Sequence, residues 1–282
     1  VMRIKLFFLL MLSAQLCFSQ RILRDDSSNR PARLTKVELL DKSEFQCVYL
    51  HEIYDPELDF RKKVYEILEV GTTYSKYENY GAYQLDSLIN ARMRAGEIIT
   101  AGQHSAFFSQ FRPTLEYLIK DLKNAKLTMY DRVFVDNFVY EEPVPAIAWK
   151  LQPDTQEVCG YVCHKATAEF RGRTWTAWYS DIPLNNGPWK FGNLPGLILK
   201  VEDDKKEHRF EAVGFKQDKI DFGYKKRSYM KTTREKFNKA LWDYKNRSWK
   251  MVEGTEYQPK NPDGSAVEVS REKMFYNPIE LE

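Results

Sequence analysis

Cys159, Cys163 and His164 crowd into one short stretch, and thiols beside an imidazole are raw material for metal sites and redox pairs. The spacing argues against both. Thiol redox motifs separate their cysteines by two residues, and here three intervene. In a regular strand, positions four apart share a face but lie about 13 Å apart, too far for a disulfide or a shared ion. Gly160 could break that strand and bring the thiols together. A Cys159–Cys163 disulfide and two separately buried thiols are the default readings, with a metal or redox role for Cys159, Cys163 and His164 as the functional alternative. His51, His104 and His208 are scattered and form no HExxH pair, and no GxSxG elbow occurs. Glu141-Glu142 and Asp203-Asp204 fall in turn-like text, where solvated charge is the default and an acid pair for hydrolysis cannot be located. The sequence therefore assigns no catalytic residue, no metal ligand and no cofactor.

A second stretch, GPWKFGNLPGLILK from Gly187 to Lys200, has the glycine content of a phosphate loop. Its glycines, Gly187, Gly192 and Gly196, match neither GxxxxGK[ST] nor GxGxxG, and strand-like text follows instead of a helix N-terminus. It reads as a shaped corner between strands. Gly187-Pro188 turn the chain, Trp189 and Phe191 flank Lys190 as an apolar plug, and Gly192-Asn193 supply backbone freedom. Leu194 then leads into a second tight turn at Pro195-Gly196, and Leu197, Leu199 and Val201 launch a buried strand.

The elements that must position these residues are mostly strands. Alternation marks Phe45 to Tyr54 and Val64 to Val70, with Gly71-Thr72-Thr73 turning into Tyr74 to Tyr77. Further strands are expected at Asp131 to Tyr140, Ala148 to Leu151, Gly160 to Phe170, Arg173 to Ser180, Leu197 to Glu202 and Glu207 to Phe215. Helical spacing of Leu115, Leu118, Ile119 and Leu122 after Pro113, with Leu85, Leu88 and Ile89 before, predicts a helical insertion at about 85–126. Thr232-Thr233-Arg234-Glu235 resembles a capping box opening a helix whose apolar stripe is Phe237, Ala240, Leu241 and Tyr244.

If Arg171-Gly172 is a two-residue turn, Phe170 faces Arg173, Ala168 faces Trp175, Ala166 faces Ala177 and His164 faces Tyr179. Lys165 then lies over Trp178 on the other face as a cation–π pair. Trp175, Trp178 and Tyr179, with Trp189 and Phe191, are the candidates for a ligand-binding aromatic surface; core packing is the plain alternative for each.

Composition bounds the rest. Arg3 and Lys5 precede the apolar run Leu6 to Leu12, which gives residues 1–20 the form of a secretory signal peptide, too short to span a bilayer. Removing Arg3 and Lys5 from the 43 basic residues leaves 41 against 40 acidic ones, so nothing points to nucleic acid. A loose polar leader at 21–32 and a single β-rich domain at 33–282 are expected, with no transmembrane segment in the mature chain.

The combined text GYVCHKATAEFRGRTWTAWYSDIP and GPWKFGNLPGLIL resembles the GLPGLI family, exported proteins of Gram-negative bacteria. The motif core covers Gly160 to Leu199, with looser similarity in the early strands and the C-terminal helix. Asn193 stands where the name-giving motif has glycine, and Asn is the non-glycine residue that best tolerates positive φ. The family brings no catalytic residues. The strand–turn–strand text is also similar to the curved sheets of lipoprotein carriers. The expected fold is thus α+β and β-dominated, a large twisted antiparallel sheet with helices on one face. The expected role is a non-enzymatic protein of the cell envelope, in the periplasm or at the outer membrane, binding an apolar or peptide ligand or a partner protein. The alternatives are a thiol- or metal-dependent enzyme and a structural partner of an outer-membrane assembly.

Overall fold

The structure, a computed structural model, describes residues 26–282. The expected signal peptide at 1–20 and the first part of the leader lie outside the described residues. The described residues divide into two compact units, one of 26–34 with 85–111 and a larger one of 35–84 with 112–282.

The smaller unit includes the described end of the leader, residues 26–32. A short 3-10 turn, Asp26–Asn29, precedes Ala32 and Leu34, which pack with Leu85, Ile89, Ile99, Phe107 and Phe111. Ala32 N donates to Ile99 O at 2.8 Å. The two helices are α1, Tyr80–Arg94, which begins in the larger unit, and α2, Ala101–Phe111.

The larger unit is built on β-sheet. In chain order its strands are β1 Val37–Lys42, β2 Phe45–Asp55, β3 Phe60–Val70, β4 Tyr74–Asn79, β5 Tyr117–Asp121, β6 Lys126–Val133 and β7 Asp136–Pro143. They continue as β8 Lys150–Val158, β9 Tyr161–Phe170, β10 Arg173–Ser180, β11 Ile198–Asp203, β12 His208–Lys216, β13 Asp221–Lys225 and β14 Met230–Lys231. β1 and β13 form a small ribbon. The other twelve form one open sheet in the order β14-β7-β6-β5-β4-β3-β2-β12-β11-β10-β9-β8, antiparallel except for the β14–β7 pair. The fold is thus a β-dominated α+β one, as expected. Helix α3, Arg234–Arg247, is capped by Thr233, which accepts from Lys236 N, and packs Phe237 and Leu241 against Val133 and Tyr140. Helix α4, Trp249–Val252, follows.

Two local expectations are corrected. Tyr117–Asp121 is a strand, so the helical insertion ends at Phe111 and not near 126. Leu118 and Ile119 are both buried because the two faces of β5 are both covered. A strand buried on both faces loses its alternation and cannot be told from a helix by apolar spacing. The predicted strand Asp131 to Tyr140 is the end of β6 and start of β7, turned at Phe134, whose φ of 56° is left-handed.

The sheet curls. Near one end of the strand order, Glu142 closes β7; near the other, Arg171 occupies the β9–β10 turn. The two side chains meet at 2.9 Å. Inside the curl lies the corner between β10 and β11. Phe191 is fully buried against Trp175 (ring centroids 4.7 Å), Phe210 (6.0 Å) and Phe170 (6.1 Å). The stretch expected to be a plug is one, and its packing fills the concave side next to β9–β12.

Candidate functional site

The corner is held by backbone geometry and by buried charge. Asn193 has φ 65°, the left-handed conformation expected there, and its side-chain oxygen accepts from Ile147 N at 3.1 Å. A Cβ on Gly196 would stand 1.7 Å from the Ser180 carbonyl oxygen, so only glycine fits. Lys190, whose spacing carries no signal, is 1% exposed and bonded to Glu142 and Glu280, each at 2.5 Å, and to the Tyr140 hydroxyl at 3.1 Å. Lys120 comes from β5 to donate to Asn186 Oδ1 (2.8 Å) and the Phe191 carbonyl (2.7 Å). Burial pulls the Lys120 ammonium down to about 7.

The aromatic candidates on the hairpin divide by face. The predicted β9–β10 register is observed pair for pair, and Lys165 Nζ lies 5.8 Å from the Trp178 ring. Trp175 is fully buried and Tyr179 almost so, both in the core behind the corner; Trp178, on the outer face, is half-buried. Trp175, Tyr179 and Phe191 leave no open surface between them, because the corner occupies the space that a ligand would need.

The thiols are not joined. Cys47, Cys159 and Cys163 are free, in place of the disulfide offered as a default for Cys159 and Cys163. Cys159 (φ 50°) and Gly160 (φ 80°) are the turn between β8 and β9, leaving Cys159 exposed, whereas Cys163 is buried inside β9. Burial pushes the Cys163 thiol up to about 11 and raises Cys159, the reverse of what an activated nucleophile needs. His164 sits 3.5 Å from the exposed Asp181. Among the described residues no group of His, Cys, Asp and Glu is arranged to hold a metal ion.

A cavity of about 260 Å³ opens elsewhere on the concave face, where β2–β6 are not covered by the corner. Tyr77, Met129, Tyr140, Trp189 and Phe237 form its apolar walls, and the C-terminal segment from Phe275 to Glu280 closes one side. That segment is clamped. Arg173, buried, donates from Nη2 to Asn277 Oδ1 and the Pro278 carbonyl, both at 2.8 Å, and from Nε to the Ile279 carbonyl at 3.1 Å. Its Nη1 bonds Asp203 and Glu207 at 2.8 and 2.7 Å.

Polar groups reach this cavity from two sides. On one, the Tyr77 hydroxyl donates to Glu66 Oε2 at 2.5 Å, and His51 Nδ1 lies 3.2 Å from the same oxygen. His51 Nε2 is 3.1 Å from His208 Nδ1, and the His51 ring stacks on Phe210 at 3.8 Å. The hydrogen between His51 Nε2 and His208 Nδ1 belongs to one ring or the other according to tautomer, and the remaining ring nitrogen is His208 Nε2. That nitrogen is buried and makes no hydrogen bond; Asn277 and the Pro278 carbonyl stand beside the ring without meeting the geometry. Burial and the neighbouring His51 hold His208 well below the ordinary imidazole range. On the other side stand Glu116 and Asp131. The pairing of Tyr117 with Tyr130 places them opposite each other across β5–β6. Glu116 is exposed and Asp131 half-buried on the open cavity wall; desolvation by the surrounding protein raises both carboxyls, and each is raised further by another acid, Glu116 by Glu66 and Asp131 by Glu116.

None of these six residues is marked in the sequence. His51 and His208 lie on strands that pair only in the fold, and Glu116 falls in text with helical spacing. The one available clue is that His51 sits on the inward side of the β2 alternation.

No family model matches the chain, and no curated protein matches it. Two solved structures of PNGF-II, in space groups P21 and C2, are similar to it at 13% and 14% sequence identity, with TM-scores of 0.49 and 0.48. The similarity covers 73% and 72% of this chain but 34% and 33% of those chains, so the chain spans about a third of their length. No helix among the described residues is long and apolar enough to cross a membrane.

Proposed function

We propose that this is a binding protein of the cell envelope that holds a small amphipathic molecule in the cavity on the concave face of its sheet. The observation that carries the reading is the cavity itself, walled by aromatic and aliphatic side chains with a few convergent polar groups, the usual composition of a ligand site. At about 260 Å³ it lies below the roughly 300–1,000 Å³ of pockets for drug-sized molecules, so its ligand is small. The aromatic surface expected at Trp175, Tyr179 and Phe191 is core; the ligand site moves along the same face to Tyr77, Tyr140 and Trp189. Support for export is the basic and apolar text of the first residues.

Thermal shift against a library of small aromatic fragments tests the reading, with wild type and Met129→Trp compared side by side. Met129 is half-buried on the cavity wall, and an indole there fills the space. Fragments should raise the melting temperature of wild type and not of a folded Met129→Trp. Equal shifts in both proteins, or none in wild type, would count against the cavity.

A further inference from the structure

We propose that the cleft between Arg173 and the cluster of Lys190, Arg171 and Arg234 is a peptide-recognition site. The chain fills it with its own residues 277–280. It takes in exchange an extended peptide of another chain with the same pattern: asparagine, proline, an apolar residue and an acid. The segment walls the cavity, but its recognition does not depend on a cavity ligand.

Each position of 277–280 is read by a separate group. Asn277 uses both ends of its amide. Its Oδ1 accepts from Arg173 Nη2 at 2.8 Å, and its Nδ2 donates to the Tyr54 carbonyl at 2.7 Å and to Glu207 at 3.1 Å. An ionised aspartate has no donor to offer there. The Pro278 and Ile279 carbonyls accept from Arg173 at 2.8 and 3.1 Å, which with Asp203 and Glu207 occupies every N–H of the guanidinium. The Ile279 side chain packs on the core. Glu280 meets Lys190 at 2.5 Å and Arg234 at 2.8 Å, with Arg171 at 3.9 Å. Arginine clusters that read an acidic motif are a recurring mode of peptide recognition.

Three features mark the segment as a ligand and not as framework. It joins no sheet: its backbone is held by the side chains of Arg173 and Asp55, and Leu281 N–H donates to the Arg171 carbonyl. Its departure also strands no buried cation. Arg173 keeps Asp203 and Glu207, Lys190 and Arg171 keep Glu142, and Arg234 keeps Glu235. Breaking a buried pair is costly when it leaves a charge alone, and here none is left alone. Lys190, Arg171 and Arg234 against Glu142 and Glu235 still leave one positive charge in excess, which selects an acid. Third, residues 253–272, which lead from α4 to the segment, are exposed almost throughout. Their hydrogen bonds run within the stretch and back to α4. Such a tether holds the segment at an effective concentration on the order of millimolar, so a peptide from another chain competes with it.

Fluorescence anisotropy on the full chain tests the site with a labelled octapeptide, FYNPIELE, the text of residues 275–282. Wild type, with its own segment in place, should bind it weakly. A chain carrying both Asn277→Ala and Glu280→Ala, whose own segment competes poorly, should bind it about 10-fold or more tightly. Octapeptides with alanine for the asparagine or for the first glutamate should lose about 10-fold on that variant. No binding to a variant that melts cooperatively, equal binding to variant and wild type, or equal binding of the altered octapeptides would overturn the site. If the double variant does not melt cooperatively, an otherwise wild-type chain is cut at a specific protease site placed in the exposed loop at 259–267. Its freed segment should then exchange with the labelled octapeptide while the rest keeps its melt. A segment that never exchanges, or a protein that unfolds as the segment leaves, overturns the proposal. Each of these failures leaves the thermal-shift test of the cavity as it stands.

Discussion

Two buried lysines near one loop behave differently because of what surrounds them. Lys190 meets two carboxylates, and its loss would leave Glu142 and Glu280 short of a buried cation. Lys190→Met should cost about 3–5 kcal/mol in urea denaturation. Lys120 meets only neutral oxygens, and burial holds its ammonium at about 7. Above that pH the folded chain releases a proton that the unfolded chain keeps up to the ordinary lysine range. Stability should therefore rise with pH from about 7 toward 10 through this group, and the charge penalty is fully present below 7. Lys120→Met should flatten that part of the profile relative to wild type; an unchanged slope would mean that Lys120 is solvated. The carboxyl pair has the opposite sign. Its raised pKa values mean that stability is lost as pH climbs above the ordinary carboxylate range, so Asp131→Asn should raise the melting temperature at pH 7. None of this is legible in sequence, since a lysine in GPWKFG and one in YLIKD look equally solvated until the curl of the sheet encloses both.

At the scale of elements, the β10–β11 corner was legible and its anchors were not. Glycine, proline and Asn193 announce turns through their own backbone preferences, and φ 65° at Asn193 follows from that. The left-handed Trp189 does not, because tertiary packing imposes it. Gly196→Ala drives a Cβ into the Ser180 carbonyl and should cost about 3 kcal/mol, a fall of roughly 6–12 °C in melting temperature. Gly192→Ala meets its nearest atom at an ordinary 3.5 Å and should be tolerated. Equal effects from both substitutions would contradict the described corner. The hairpin register was readable because the two-residue Arg171-Gly172 turn, both residues left-handed, fixes which side chains face each other. β5 was not, since burial on both faces erased its alternation.

At the scale of the larger unit, one open sheet curls until Glu142 and Arg171 meet, and the β10–β11 corner fills part of the space that results. The rest is the cavity, closed by a C-terminal segment that Arg173 clamps. Its residues come from seven strands, the β10–β11 corner, a helix and the C-terminal segment, which is why scattered histidines and acids in the sequence carried no sign of a site. The most direct test of the account is methyl NMR on selectively labelled protein titrated with small aromatic fragments. Met129, Leu118 and Leu241 line the cavity, and their signals should move together and saturate. Signals that stay in place, or changes confined to outward methyls such as Leu151 and Val162, would contradict it.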